Sequence, residues 1–598
     1  MPRVPDRSTY DQTLDVHMHT GQNARDMAMT FGGRHLATDI ETPGLDRSFE
    51  IRCVTACWET KDETHAVLLD PERNEADRYA VTEMYRKATM IILHNAPFDV
   101  PALVHHELMT MSQISKIVDT LLLARFGFPD VLVPKNLAAL AKRYLGMDDN
   151  AEGMKLAFKA AGYKTIQAGY EGMDIDSPIY RQGAMLDTLA TLRLQPMLRR
   201  QCWDRTTNHP FEVYGATSFG EAEAILERQE MVHRVMLRRG AEGINVDREY
   251  LAKYAESVDG ESKRAAALLA QHGLEGGSGK GSKIIEYIDS IGELPADWPR
   301  TPTRKLKATK DLLDAFDHPL AHAQRRLAEI EKIMGYLAKV DHQAEVTGRC
   351  HPQIGTLAAS ATGRMSISMP ELQQFSADAR PILIADDPHQ MWSIDWSQIE
   401  PVTMGLMAGD ETFLAPFEAG EDLYEPLMRA AGIDRKTAKV CLLATMYGQG
   451  VGGLAGRIGA SVEQAAQIRR QMLAAMPASA RWMTKVQGIA DEYGVVITAG
   501  GRILPVDKGG VFKSVNYSVQ GSAYDVLAHA ICEIERAGMG DAILLPMHDE
   551  LVVQGDEELA REIEQIMLTP PPFLEKWAGR TPVLRTDREC TGTAWASV

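Results

Sequence analysis

Two sets of acidic residues, far apart in the chain, carry the spacing that two-metal phosphoryl chemistry needs. In ATDIETPGLD, Asp39 and Glu41 sit two residues apart at the end of an apolar run, so on a strand both side chains project from one face. Two carboxylates held that way repel unless a cation compensates, and Mg²⁺ takes carboxylate oxygens in octahedral geometry. Alone, a D-x-E at a strand end reads equally well as surface acids. LHNAPFDV then brings Asn95 and Asp99, VDTLLLARF brings Asp119, and AMLDTLATLRL brings Asp187. The second set opens in WSIDWSQIEP with Asp395 and resumes far downstream in AILLPMHDELVVQ with His548, Asp549 and Glu550. Brought together across a sheet, Asp395 and Asp549 can hold two ions about 3.5 to 4 Å apart for in-line transfer. Between them, Arg435, Lys439, Leu443 and Tyr447 recur every four residues, drifting about 40° per step around a helix and so sharing one stripe. The apolar members alone suggest a core face; a basic pair leading into an aromatic suits a nucleotide.

The elements that must position these groups are legible in outline. HLATDIET and FEIRCVTACWE read as strands separated by the turn residues PGLDRS, and MIILHN as a short buried strand. Strands with interspersed helices up to about residue 200 predict an α/β domain. Apolar residues three and four apart predict helices over 222 to 271, a Gly/Ser/Pro-rich interruption follows, and another long helix ends near Leu337. The runs flanking His548, Asp549 and Glu550 predict a hairpin with the acids at its turn, and Pro546 inside the first run favours an edge strand.

The first set resembles the 3′-to-5′ exonuclease family with a ribonuclease-H-like fold, over residues 34 to 200. That resemblance implies metal binding by Asp39, Glu41, Asp99 and Asp187, and a structural role for Asp119. It departs where the family places a water-orienting Tyr or His, since Gly183 and Gln182 stand there; Tyr180, seven residues before Asp187, can substitute only if the backbone differs. The second set, with R-x3-K-x3-L-x3-Y-G from Arg435 to Gly448, SATGRMSISMPELQ, TAGGRILP and VNYSVQGSAYDVLAHA, resembles family A DNA polymerases of bacteriophage type, without a 5′ nuclease. The implied roles are metal binding by Asp395 and Asp549 with Glu550 supporting, and nucleotide binding by Arg435, Lys439, Leu443, Tyr447, Gln398 and Glu400. Lys439 also protonates pyrophosphate, and Glu400 excludes a 2′-hydroxyl. DNA contacts fall to Arg364, Gln373, Arg502, Asn516, Gln520 and His548. Leu443 replaces a usual aromatic, Pro401 and Val402 replace Leu-Arg, and Arg380 is the nearest arginine after Gln373.

The implied fold is an α/β ribonuclease-H-like exonuclease domain followed by an α+β right-hand polymerase domain. Its expected parts are an N-terminal extension (1–33), exonuclease (34–200), linker (201–225), thumb (226–345), palm (346–430), fingers (431–494) and a second palm part (495–598). Two Mg²⁺ ions per site, with Mn²⁺ as a substitute, primer-template DNA and deoxynucleoside triphosphates are the implied cofactor and ligands. A monomer working with replisome proteins such as a helicase or primase in the host cytoplasm is expected. A rival reading keeps the exonuclease and makes the polymerase half a non-catalytic DNA clamp. The net charge of -18 argues against nucleic-acid binding only on average, because a basic groove coexists readily with an acidic exterior. One basic stretch, RTPTRKLKATK, is present. Seven scattered cysteines without a C-x-x-C pair indicate neither disulfides nor a zinc module, and no membrane span or signal peptide is read.

Overall fold

The computed structural model describes residues 4, 6–147, 150–359 and 361–596. The chain divides into two compact units, Met1–Glu242 with Gln353–Ser366 and Trp392–Cys590, and Gly243–Pro352 with Ile367–Met391 and Thr591–Val598.

In the first unit, a seven-stranded sheet is built from β1 (Arg7–Asp11), β2 (Val16–Thr20), β3 (His35–Glu41), β4 (Cys53–Glu59), β5 (Thr64–Leu69), β6 (Met90–Leu93) and β7 (Ile117–Asp119), in the order β1-β2-β5-β4-β3-β6-β7. Within the expected N-terminal extension (1–33), residues 7–29 supply two of these strands and the helix Gly21–Met29. Alternation sorts the side chains into two cores. Leu36, Val54, Ala56, Val67, Ile91 and Leu93 face one side, while Ala37, Cys53, Cys57, Ala66 and Ile92 face the other, against α2 (Pro178–Thr207), which contributes Tyr180, Met185 and Leu189. Asp39 and Glu41 share the parity of Ala37 and so point toward α2. The short helix α1 (Ile166–Gly172) precedes it.

The same unit holds a four-stranded sheet of β8 (Gln390–Trp396), β9 (Ile543–Met547), β10 (Glu550–Gly555) and β11 (Thr586–Gly592), ordered β9-β10-β8-β11. Pro546 lies on β9 opposite Leu551, and β9 is an edge, where the missing N–H of proline leaves no gap in a ladder. Around this sheet stand α3 (Ile399–Ala408), α4 (Arg435–Met446) and α5 (Ser514–Arg536).

The second unit is a pair of long helices, Arg248–Ala270 and Pro319–Thr347, that leave and return to a small sheet of Leu383–Ile384, Ile244–Val246 and Arg349–Cys350. Leu269, Ile284, Ile288, Trp298, Leu313 and Leu327 form a separate core away from that sheet.

Asp119 is the main polar tie of the first sheet's end. Its carboxylate accepts the backbone N–H groups of Asn95 (3.0 Å), Ala96 (2.9 Å) and Leu121 (2.8 Å), and His233 Nε2 lies 3.1 Å away. Both side chains are 2 % exposed. Asp119→Ala strands these buried donors and should destabilise the folded chain by about 3 kcal/mol or more, measured by denaturant unfolding; a change within ~0.5 kcal/mol would remove the tie.

Candidate active sites

β3 and β6 run parallel, so their carboxyl ends lie side by side. Asp39 and Glu41 close β3, and the chain leaves β6 through Asn95, held at φ 74°, into the helix Ala96–His105 that carries Asp99. Asp99 Oδ1 accepts the N–H of Ile40 at 3.1 Å, which locks this carboxylate against the strand between the other two. Asp187 comes from α2 on the facing layer. Burial, then repulsion by Asp187, pushes Asp39 up to about 8. Burial, then Asp39 and Asp187, raises Glu41, against which Arg52 pulls the other way. Burial, then Asp39, raises Asp99. Asp39 and Glu41 thus feel Asp187 from the facing layer, and Asp99 feels Asp39 and Glu41.

Tyr180, the candidate water-orienter, is fully buried, its hydroxyl has no hydrogen-bond partner, and the Arg52 guanidinium lies 5.2 Å from its ring centroid. It is a packed aromatic. Tyr170 on α1 feels three of the acids, since burial, then Glu41, Asp187 and Asp39, raises it, whereas among the four acids only Glu41 raises Tyr180, after burial. Arg52 ties α1 to the strand end. Its N–H reaches Glu41 O at 2.7 Å, and its guanidinium donates to the carbonyls of Tyr170 and, at 2.6 Å, Met173.

The second set assembles across β8 and β10. Trp396 N donates to Asp549 O at 3.2 Å, and Ser393 Oγ to Glu550 Oε1 at 2.6 Å. Met547 pairs with Glu550, leaving His548 (φ 60°) and Asp549 as the hairpin turn. Burial, then Asp549, Glu550 and Asp587, raises Asp395 to about 7, while Lys439 lowers it. Asp587 was not anticipated; it lies on β11 and accepts Ser397 Oγ at 2.8 Å, and no sequence pattern marks it.

Glu400, in the first turn of α3, is 7 % exposed and accepts Tyr447 Oη at 2.9 Å and Arg364 Nη2. Arg364 Nη2 also reaches Asp549 Oδ1 at 3.1 Å. Burial raises Asp549 and Arg364 offsets it. The expected groove-facing arginine is therefore engaged with two acids of the site. Arg435, Lys439, Leu443 and Tyr447 share the solvent-facing stripe of α4 and its cap, and Arg435 Nε donates to Asp422 Oδ2 at 2.5 Å. Gly448 follows at φ 70°, where a Cβ would sit 1.9 Å from Phe512 O, so the motif's glycine is sterically required.

Gln398 caps α3 at φ 57° with Oε1 buried and unpartnered, as is Asn516 Oδ1 on α5. Gln520 hydrogen-bonds Tyr447. Arg502 departs from expectation. It is 4 % exposed and bonds Asp525 Oδ1 (2.6 Å), Gly521 O (2.8 Å) and Thr362 O (3.3 Å), so it braces the turn against α5 instead of reaching template. In the second unit, Gln373 accepts Ile367 N at 3.3 Å and Arg380 stacks on Trp595.

Known proteins match in the same order. Residues 18–203 fit the model of the 3′-5′ exonuclease and 287–569 that of DNA polymerase family A. Residues 287–569 belong to DNA polymerase family A and residues 18–203 to the 3′-5′ exonuclease family. This polymerase is 27% identical to the DNA polymerase of Mycobacterium phage D29 over 562 residues, 89% of each chain, and 27% identical to that of phage L5 over 589 residues, covering 94% of this chain and 93% of the other. The POL domain of Pol1 from M. smegmatis, solved with DNA primer-template and dNTP, shares the fold at a TM-score of 0.69 and 19% identity, over 96% of this chain and 98% of that one. The polymerase is accordingly a DNA-directed DNA polymerase with a 3′-5′ exonuclease domain, in a family that depends on divalent metal. No helix is long and apolar enough to cross a membrane among the described residues.

The donor sets fit such ions: both are carboxylate oxygens, crowded, desolvated and short of internal cations, which is hard-cation chemistry. Among the described residues no three such side chains close on one point. Because Asp39 titrates near 8 in the fold against an ordinary 3.8, the folded chain binds more protons there than the unfolded one. Its contribution to stability is full below about pH 4 and is lost as pH rises through 8. In EDTA, the thermal midpoint of the wild type should fall more steeply from pH 5 to 8 than that of Asp39→Asn. Equal slopes would mean that Asp39 is not under this repulsion.

Proposed function

We propose that Asp395 and Asp549 hold two Mg²⁺ ions for primer extension, with Glu550 steadying that end of the sheet through Ser393. The observation that carries this reading is the mutual repulsion of Asp395 with Asp549 and Glu550 across the neighbouring strands β8 and β10, with Lys439 near enough to Asp395 to oppose it. When bound, the ions would supply the charge that activates the primer 3′-oxygen and stabilises the departing pyrophosphate. The chain's own residues do the rest. Arg435 and Lys439 grip the triphosphate from the α4 stripe, and Lys439 is placed to give a proton to the leaving pyrophosphate. Tyr447 closes the base end of that stripe. Glu400, pinned by Tyr447 and Arg364, fills the space beside the sugar and excludes a 2′-hydroxyl. Asn516 and Gln520 present amides from α5 to the minor groove, and His548 lies beside the primer end. Residues 226–345 serve as thumb, 346–430 and 495–598 as palm, and 431–494 as fingers. The exposed Arg300, Arg304 and Lys305, with the half-buried Lys307, support a DNA grip by the thumb, since these residues form no ion pair with the described residues.

In the exonuclease, Asp39, Glu41, Asp99 and Asp187 would hold the second ion pair, and Tyr170 orients the attacking water from α1. Tyr180, which could substitute only if the backbone differed, is packed in the core instead.

The two activities share no metal-holding residue and should separate. Asp395→Ala or Asp549→Ala is expected to abolish primer extension yet leave single-strand digestion intact, while Tyr170→Phe slows digestion by about tenfold or more with extension unchanged. Extension near the wild-type rate in either aspartate variant would overturn the polymerase assignment, and an unaltered digestion rate in Tyr170→Phe would remove its role.

Glu400→Ala should raise ribonucleotide incorporation relative to the deoxy counterpart by about tenfold or more, since one lost steric block of this kind is worth ~1–3 kcal/mol. A single-nucleotide insertion assay reads the ratio, and an unchanged ratio assigns the gate to another side chain.

A further inference from the structure

A cavity of about 420 Å³ lies between the β1–β2 hairpin and the first turns of α2, lined in part by Arg7, Thr9, Gln12, Pro178, Arg181 and Gln182. Arg181 is 4 % exposed, and its Nη1 is buried with no hydrogen-bond partner. Its guanidinium forms no ion pair with any described residue. A buried guanidinium without a partner is strongly unfavourable and calls for a ligand. Asp174 and Asp176 favour its charge only from beyond ion-pair distance, while Arg7 opposes it. Arg7 itself is exposed and unpaired among the described residues. Asp11, the one acid on the lining, has its Oδ1 taken by the N–H groups of Thr13 (2.9 Å) and Leu14 (3.0 Å).

The α2 N-terminus adds to this. Ser177 caps the 30-residue helix without a side-chain bond, and Pro178 at its first position faces the cavity, so the positive end of a long helix dipole points the same way as the two arginines. No part of either carboxylate cluster lines this cavity.

We propose that this cavity binds a phosphate group, and that in use it is a backbone phosphate of single-stranded DNA bound to the exonuclease domain. The strand is favoured over a free nucleotide because the same helix carries Asp187 six residues on, about 9 Å along the axis, a distance that one strand can span while its 3′ end is held at the acids. The assignment to a strand rests on the exonuclease reading; the phosphate site does not.

Binding is therefore measured without divalent ions, which separates it from the chemistry. Arg7→Gln, at an exposed position that leaves the fold intact, and Arg181→Met are compared with the wild-type full chain in the anisotropy of a fluorescent oligothymidylate across a salt series. Each variant should bind about threefold or more weakly, with a log–log salt slope shallower by about 0.7 per lost contact. Arg181→Met should also melt at a higher temperature than wild type when no ligand is present, since it removes an unpaired buried charge, whereas a merely structural arginine would give a lower one. In a second arm, inorganic phosphate should raise the melting temperature of the wild type and of neither variant. That arm alone responding, with oligonucleotide affinity unchanged, overturns the strand as ligand and leaves a free-phosphate site. No response in either arm overturns the site altogether.

Discussion

Repulsion between carboxylates drawn out of water is the constraint around which this polymerase is organised. Each active site gathers acids that would separate if the chain allowed it, and the fold prevents separation by anchoring them on strand ends and helices whose positions are set by apolar packing. In the exonuclease domain, Ile40 N–H holds Asp99 while burial and mutual repulsion raise Asp39, Glu41 and Asp99 together. A divalent cation would relieve the resulting unfavourable field, so on the proposed metal roles the surrounding core would prepare the affinity of these acids for it.

Internal cations temper that field without cancelling it. Arg52 eases Glu41 and, by gripping the carbonyls of Tyr170 and Met173, brings α1 over the acids. Arg364 does comparable work in the polymerase site, where Nη2 serves both Glu400 and Asp549. Through it Glu400 and Asp549 are bound to one guanidinium, and Tyr447 joins them from the cap of α4. On the roles proposed for Glu400 and Asp549, sugar selection and metal holding would share one hydrogen-bonded network, in which substitutions are not expected to act additively.

Charged residues with the same appearance in sequence divide sharply in the fold. Arg502 and Asp525 form an ion pair at 4 % and 0 % side-chain exposure, supported by two backbone carbonyls, and so hold the Val495–Ile497 and Ile503–Pro505 hairpin against α5. Arg7 and Arg181 are arginines of no motif, yet one is buried without a counter-charge. An arginine's role follows from which acceptors surround it, and those come from distant segments.

Short-range order was legible in the sequence because it depends on short-range physics. Period-two alternation placed Asp39 and Glu41 on one face, four-residue spacing placed Arg435, Lys439, Leu443 and Tyr447 on one stripe, Pro546 marked an edge strand, and His548 and Asp549 fell at a turn with Glu550 opening the strand after it. The ordered motifs were dense enough to indicate the family. What the sequence could not decide was every contact set by packing between elements remote in the chain. Residues 7–29 look like a tail until β2 pairs with β5; Tyr180 looks available until α2 packs it into the core; Tyr170 is unremarkable until Arg52 draws its helix over the carboxylates. Asp587 and Arg181 carry no pattern at all. Their roles arise from desolvation and from the distance to charges hundreds of residues away or a layer across, quantities that exist only once the chain has closed on itself.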